Sequence, residues 1–112
     1  MNATSHYIEA EIRYLTTEEG GRHSGVKSDY RGQFHYQGEE QAWDGSQFFP
    51  DLKEGEYVEL GTTVRALVRF SNERWNVNHS KRIRVGMPFE IREGQKLVGR
   101  GIVTRLKVDQ CS

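Results

Sequence analysis

The closing segment of the chain, residues 88–108, places the strongest constraint on its fold. Over Phe89–Arg92 apolar and polar side chains alternate, and this period of two predicts a half-buried β-strand. Gly94 follows between a glutamate and a glutamine, where a residue free to adopt a positive φ favours a tight turn. The next apolar run contains Gly99 and Gly101, and glycine inside a strand is typical of a bulge, a sharp bend or close backbone approach. The segment therefore predicts a β-hairpin whose return strand is long and bent.

Shorter alternating segments precede this hairpin. The clearest are Tyr7–Leu15 and Thr62–Phe70, each with one apolar and one polar face. Gln33–Tyr36 is a short strand, and Tyr57–Leu60 is a possible one. Gln41–Phe49 is a weaker strand that contains a hairpin turn signal, Asp44-Gly45, at which it could be broken. No 3.6-residue period persists beyond two turns, so we expect almost no helix. About six strands separated by turn signals predict an all-β barrel or sandwich.

The size and charge of the chain limit its function. With 112 residues it is most simply one domain, 1–112, with its core over about 7–108. Lys and Arg together number 16, as do Asp and Glu, so the formal net charge is zero. No overall field therefore draws the chain to nucleic acid, and any nucleic-acid surface must be a local patch.

The sequence offers no group of residues typical of an enzyme or a metal site. Cys111 is the only cysteine, and none of the histidines has a second Cys or His at metal-ligand spacing; they are His6, His23, His35 and His79. No nucleophile elbow, catalytic carboxylate pair or Cys/His pair can be assembled. We therefore expect a non-catalytic protein with no cofactor and no metal. Because neither a signal peptide nor a membrane-length apolar run is visible, we expect it to be soluble and cytoplasmic.

The polar connection that follows the strand Thr62–Phe70 combines an aromatic with several basic residues. Arg74, Trp75 and Lys81 stand out, because such a mixture can stack a base and grip phosphates. The alternative is a solvated loop whose Trp75 folds back onto the sheet. Trp43 is interpreted as a core residue.

Five pieces of sequence, in order, identify a family. They are Ile8–Glu11, Glu19–Ser24, Tyr30–Phe34, Ile91–Gly94 and Val98–Val103. Together they resemble the third, C-terminal β-barrel of bacterial elongation factor Tu. The resemblance extends over nearly the whole chain and implies a single six-stranded antiparallel β-barrel.

The chain departs from that family in several places. Gly32 stands where the family usually has proline, Gln95 where it has a second glycine, and Arg100 where a small residue is usual. The sequence contains no Gly-x-x-x-x-Gly-Lys-Ser/Thr phosphate loop, so nothing predicts GTP binding. We therefore expect a free-standing copy of the barrel that is not a GTPase.

In elongation factor Tu this barrel helps hold the T stem of aminoacyl-tRNA through backbone contacts. The resemblance carries that role onto Arg22, His23, Gln33, Glu93 and Gly94. An Arg fork, an amide and a turn backbone are suited to phosphate and ribose contacts. Each of these residues also has a purely structural explanation. Arg22 and His23 could belong to a solvated loop, and Gln33 could form a strand-edge hydrogen bond. Glu93 and Gly94 could simply form a hairpin turn.

Three functional hypotheses remain open, and the simplest is a barrel that keeps none of the family's contacts. Binding to tRNA or another structured RNA predicts that Arg22, His23 and the Arg74–Arg84 loop form one basic patch. The alternative is a protein-interaction module, or a mimic, that binds a translation-associated partner of elongation factor Tu. Zero net charge and Arg100 favour this alternative, and its signature is a salt-insensitive protein pull-down. The sequence does not give the oligomeric state.

Overall fold

The structure, a computed structural model, describes residues 5–106. Within this range the backbone forms six strands, one short α-helix and one 3₁₀ turn. The strands are β1 (Ser5–Tyr14), β2 (Gln33–Tyr36), β3 (Ser46–Phe48), β4 (Thr63–Ser71), β5 (Pro88–Glu93) and β6 (Lys96–Arg105). The helix α1 (Asn72–Val77) and the 3₁₀ turn His79–Lys81 lie between β4 and β5.

The strands form one curled antiparallel sheet in the order β2-β5-β6-β1-β4-β3. β1 lies in the middle, with Ser5 opposite Ser71 of β4 at one end and Tyr14 opposite Gly99 of β6 at the other. The predicted inner face of β1 is confirmed, since its alternate apolar residues are buried; they are Ile8, Ala10, Ile12 and Tyr14. The all-β fold with six antiparallel strands is therefore confirmed.

The two edge strands of the sheet are joined by a short closing seam, residues 30–34 and 43–47. Tyr30 and Gln47 exchange two backbone hydrogen bonds, and so do Phe34 and Trp43. Both pairs have the same antiparallel register, so the two segments run past each other as one interrupted ladder. The curled sheet thus becomes barrel-like, because β2 and β3 are not left as open edges.

A buried glutamine fills the interruption in the closing seam. Gln47 is completely buried, and its amide nitrogen donates to the carbonyls of Gly32, at 2.9 Å, and Gly45. Its amide oxygen accepts from the Tyr14 hydroxyl at 2.8 Å. Because a buried amide without partners is costly, these hydrogen bonds fix the position of β1 relative to the seam.

The two glycines of β6 have distinct roles. At Gly99 the pairing shifts, since Ile91 opposes Gly99 whereas the next residue opposes Leu97, which is the predicted irregularity. At position 101 glycine is required because the backbone approaches the Phe89 ring closely, and a Cβ there would lie 2.3 Å from that ring. Gly94 has φ +64°, as the predicted tight turn requires.

Three parts of the secondary structure are shorter or more finely divided than the sequence pattern indicates. The strand expected over Gln41–Phe49 is confined to Ser46–Phe48, and only an isolated bridge at Trp43 precedes it. The strand expected over Tyr57–Leu60 is a single bridge. The connection after β4 contains α1, whose first turn is capped by the Ser71 hydroxyl. One and a half turns are too short for a helical period to be recognised. Cys111 and the expected end of the last strand lie outside the described residues.

We predict that Gly101→Ala destabilises the fold by about 1–3 kcal/mol, the usual range for overpacking a close-packed core. The new methyl group would meet the buried Phe89 ring. Urea denaturation measures this cost. In a Phe89→Leu background the same substitution should cost less, because the smaller side chain leaves space. Equal costs in the two backgrounds would contradict this explanation.

Candidate nucleic-acid interface

A charged cluster holds the loop between β1 and β2 against the β5–β6 turn. Arg22 Nη1 and the Tyr30 hydroxyl both donate hydrogen bonds to Oε2 of Glu93. The Arg22 guanidinium lies over the Tyr30 ring, 5.0 Å from its centroid, and its Nε donates to the Ser24 carbonyl at 3.1 Å. We call Arg22, Tyr30 and Glu93 the turn cluster.

The electrostatics of the turn cluster keep Glu93 ionised. Partial burial acts to raise its pKa, but hydrogen bonds from Tyr30 and Arg22 outweigh burial, and the pKa is lowered overall. Burial, followed by the bond to Glu93, raises the pKa of Tyr30, so its phenol remains a donor. The Arg22 charge is thus paired with Glu93, which makes it a structural fastening of the loop as well as a cation.

The other residues that the resemblance implies lie near the turn cluster. Gln33 is half-buried in β2 and pairs with the residue just before Glu93. Gly94 is exposed at the hairpin tip, and a Cβ there would meet nothing within 4 Å. His23 is exposed and follows Arg22 on the loop. The structure therefore gathers all five residues at one end of the sheet.

The second predicted group lies on the connection between β4 and β5. The side chains of Arg74 and Lys81 are exposed there. Trp75 packs onto the sheet, because its ring stacks on His6 with centroids 3.8 Å apart and planes 10° apart, and it also contacts Phe70. The ring is therefore already covered, and stacking a base on it would require displacing His6.

A buried histidine lies beneath this connection. His79 is fully buried, and its Nδ1 is 2.5 Å from the Tyr36 hydroxyl. Its imidazole contacts four aromatic rings at centroid distances of 4.4 to 5.9 Å, those of Phe34, Tyr36, Trp43 and Phe70. Burial, with smaller effects from the charges of Arg74 and Arg82, lowers its pKa to about 4. His79 is therefore neutral at pH 7 and fills the core as an aromatic ring.

The two predicted groups do not form one basic patch. Arg22 reaches the β5–β6 turn, which is at the Tyr14 end of β1, whereas α1 begins beside Ser71, which opposes the Ser5 end. β1 has ten residues, so at about 3.3 Å per residue these ends are roughly 30 Å apart. Sequence position gave no means of placing the two loops, because their location depends on strand pairing across the whole sheet.

Comparison with known protein families now gives a definite result. Residues 2–107 match the family described as the elongation factor Tu C-terminal domain. The chain belongs to this family. The resemblance seen in the five sequence pieces is confirmed, and the chain is a translation-factor-related module built on the non-catalytic barrel domain of elongation factor Tu.

Two contacts of this elongation factor Tu-type barrel were not anticipated. Tyr30 belongs to one of the five pieces but was not considered a site residue, although its place in that piece was an available signal. The bidentate ion pair between Arg82 and Glu39, which places the guanidinium over the Tyr36 ring at 3.7 Å, had no sequence signal. Its members are 43 positions apart and meet only through the fold.

The range of residues 5–106 offers neither a membrane-crossing helix nor a metal-binding group of side chains. No helix in that range is long and apolar enough to cross a membrane. Over the same residues, no three His, Cys, Asp or Glu side chains are grouped so that they could hold a metal ion.

We predict that His79 makes stability depend on pH between about 6.5 and 4. Its pKa is about 4 in the folded protein and 6.5 unperturbed, so in this range the unfolded chain binds the proton more readily. Stability is therefore complete above pH 6.5 and declines as pH falls towards 4. Urea midpoints measured at intervals of half a pH unit should show this slope.

His79→Gln is the matched variant, because glutamine can still hydrogen-bond to Tyr36 but cannot titrate. It should flatten the pH slope, whatever its own stability. His23→Gln replaces an exposed histidine and should keep the wild-type slope. A slope that persists in His79→Gln would show that another group is responsible.

Proposed function

We propose that this elongation factor Tu-type barrel is a non-catalytic binding module of translation, and that it contacts the backbone of tRNA-like RNA at the turn cluster. The observation that carries the proposal is the fastening of the β1–β2 loop to the β5–β6 turn by Arg22, Tyr30 and Glu93. This fastening brings the loop that carries His23 to the end of the sheet where Gln33 and Gly94 lie. The module would act in the cytoplasm as a single domain.

The turn backbone is suited to a close contact. Gly94 carries no side chain, is exposed and has open space around its Cα, so a ribose hydroxyl or a phosphate can approach the peptide group. His23 is exposed on the adjoining loop and supplies a donor for phosphate oxygens. These groups would contact the sugar and phosphate atoms of the RNA, which are the same in every sequence. Recognition would therefore depend on the shape of the RNA.

The proposal also predicts weak and salt-sensitive binding. Arg22 is paired with Glu93, and Arg13 with Glu19 at 3.1 Å, so few cations at this end lack a carboxylate neighbour. Affinity for RNA falls with salt in proportion to the number of phosphates neutralised, and that number is small here.

A second candidate is a protein-interaction module for a translation-associated partner. The same pairing of charges favours it, because neutralised cations suit a protein surface better than a polyphosphate. So does the exposed Ile102, which lies in a groove with Arg100 and Pro88 on the outer face of β5 and β6. Binding that is insensitive to salt would distinguish this candidate from RNA binding.

The test is an NMR titration of the labelled protein with deacylated tRNA at low and moderate salt, using Gly94→Asn as the variant. Asparagine tolerates a positive φ, and the site has room for its side chain, so the turn should persist. The side chain would block close approach to the backbone. We expect shifts around Arg22, Gln33 and Gly94 in the wild type, and at least about fivefold weaker binding by the variant.

Gly55→Asn is the matched control. Gly55 also has a positive φ and open space, but it lies among the acidic residues that precede β4. Its substitution should leave tRNA affinity unchanged. If tRNA causes no shifts at low salt, or if the two variants weaken binding equally, the proposed RNA contact is wrong and the protein-interaction candidate takes its place.

A further inference from the structure

Zero net charge conceals a separation of charge along β4. The acidic segment, residues 51–61, precedes this strand and holds four acidic residues and one lysine. The basic segment, residues 72–86, follows it and holds four Lys or Arg residues and one glutamate. The formal charges of the two segments are therefore −3 and +3, and every one of these side chains is exposed. The nine residues of β4 hold the two segments at opposite ends of the sheet.

Part of this charge is neutralised locally. Asp51 of the acidic segment pairs with Arg65 at 2.9 Å, and Arg82 of the basic segment pairs with Glu39. Neither Arg74 nor Lys81 has an ion-pair partner among the residues that the structure describes. Arg74 and Lys81 of the basic segment thus present exposed positive charge outside any ion pair, with Asp44 lining the same cavity as Arg74, whereas Arg22 of the turn cluster is paired.

The basic segment is also held rigidly enough to present that charge. Ser71 caps α1 by accepting from the backbone N–H of Arg74 at 3.1 Å. The guanidinium of Arg84 donates to the carbonyls of Ser80, Lys81 and Ile83, which places this cation over the end of the 3₁₀ turn. Ile83, which lies between the 3₁₀ turn and Arg84, is fully buried and anchors this part of the chain in the core. The Arg84 guanidinium is thereby fixed, and Arg74 and Lys81 lie on the same short structured connection.

We propose that the basic segment is a second RNA surface, distinct from the turn cluster, that binds phosphates through Arg74, Lys81 and Arg84 without stacking bases. Trp75 takes no part in the contact, because His6 covers its ring. The surface therefore reads charge and not base sequence. This proposal rests on the proposed function for the identity of the partner.

RNA suits this surface better than an acidic protein. Guanidinium groups match phosphate oxygens in a bidentate geometry. A stable protein interface usually contains a buried aromatic or arginine anchor within an apolar centre. Around these cations the large exposed apolar side chains are Val77 and Val85, which are too small for that role.

The test compares Lys81→Gln with Lys53→Gln for binding to a mixed-sequence RNA duplex, by fluorescence anisotropy at several salt concentrations. Both lysines are exposed and each substitution removes one charge, but Lys53 lies in the acidic segment. Lys81→Gln should weaken binding about three- to tenfold and lower the slope of log affinity against log salt by about 1. Lys53→Gln should change affinity less than twofold. Trp75→Phe should bind like the wild type.

The outcomes separate this proposal from the proposed function. If the wild type binds RNA, and Gly94→Asn but not Lys81→Gln weakens it, the turn cluster is the RNA site and the second surface is refuted. If Lys81→Gln weakens binding and Gly94→Asn does not, the second surface stands and the turn contact fails. Loss of binding in Trp75→Phe would show base stacking and overturn the phosphate-only contact. Displacement of the RNA by polyglutamate at equal charge concentration would identify a surface for acidic proteins and overturn the RNA assignment.

Discussion

The closing seam depends on one buried amide. Gln47 lies where β2 and β3 approach each other, and it bonds to Gly32, Gly45 and Tyr14 at once. A leucine in its place would leave two glycine carbonyls and a tyrosine hydroxyl without these partners in the core. The free-energy cost of burying unpaired polar groups is larger than the net stabilisation that their hydrogen bonds provide. The seam in turn closes the sheet, and closure fixes which loops lie at each end. The placement of both candidate surfaces therefore depends on this interaction.

The glycines of the seam and of β6 show why the barrel can be so small. A Cβ at Gly32 would lie 2.6 Å from a methyl carbon of Ile91, and one at Gly101 would meet the Phe89 ring. Tight curling brings neighbouring strands closer to the side chains inside than a flat sheet would. Glycine is required where the inner face has no room for a side chain, and large aromatic rings fill the space that it leaves.

Charge pairing separates the two ends of the molecule in function. At the turn cluster, Glu93 neutralises Arg22 and makes it a fastening, so the exposed turn backbone is left as the contact surface. At the basic segment, Arg74 and Lys81 have no ion-pair partner among the described residues, and the acidic segment lies at the other end of β4. A zero net charge is thus compatible with a locally charged surface, because salt screening limits the range of each charge's electrostatic interaction to about 10 Å at moderate salt.

The sequence by itself determined the elements whose pattern is long and regular. β1, β4 and the closing hairpin were predicted because alternation over six or more residues has one structural explanation, and five motif pieces in order identified the family. The sequence did not predict the short helix, the single bridge at Val58 or the extent of β3, because three to six residues carry too little pattern. Only the tertiary structure decided that Trp75 is covered by His6, that Tyr30 joins Glu93, and that the two predicted groups lie at opposite ends of β1. Each of these depends on which strands pair, and strand pairing joins residues that are far apart in the chain.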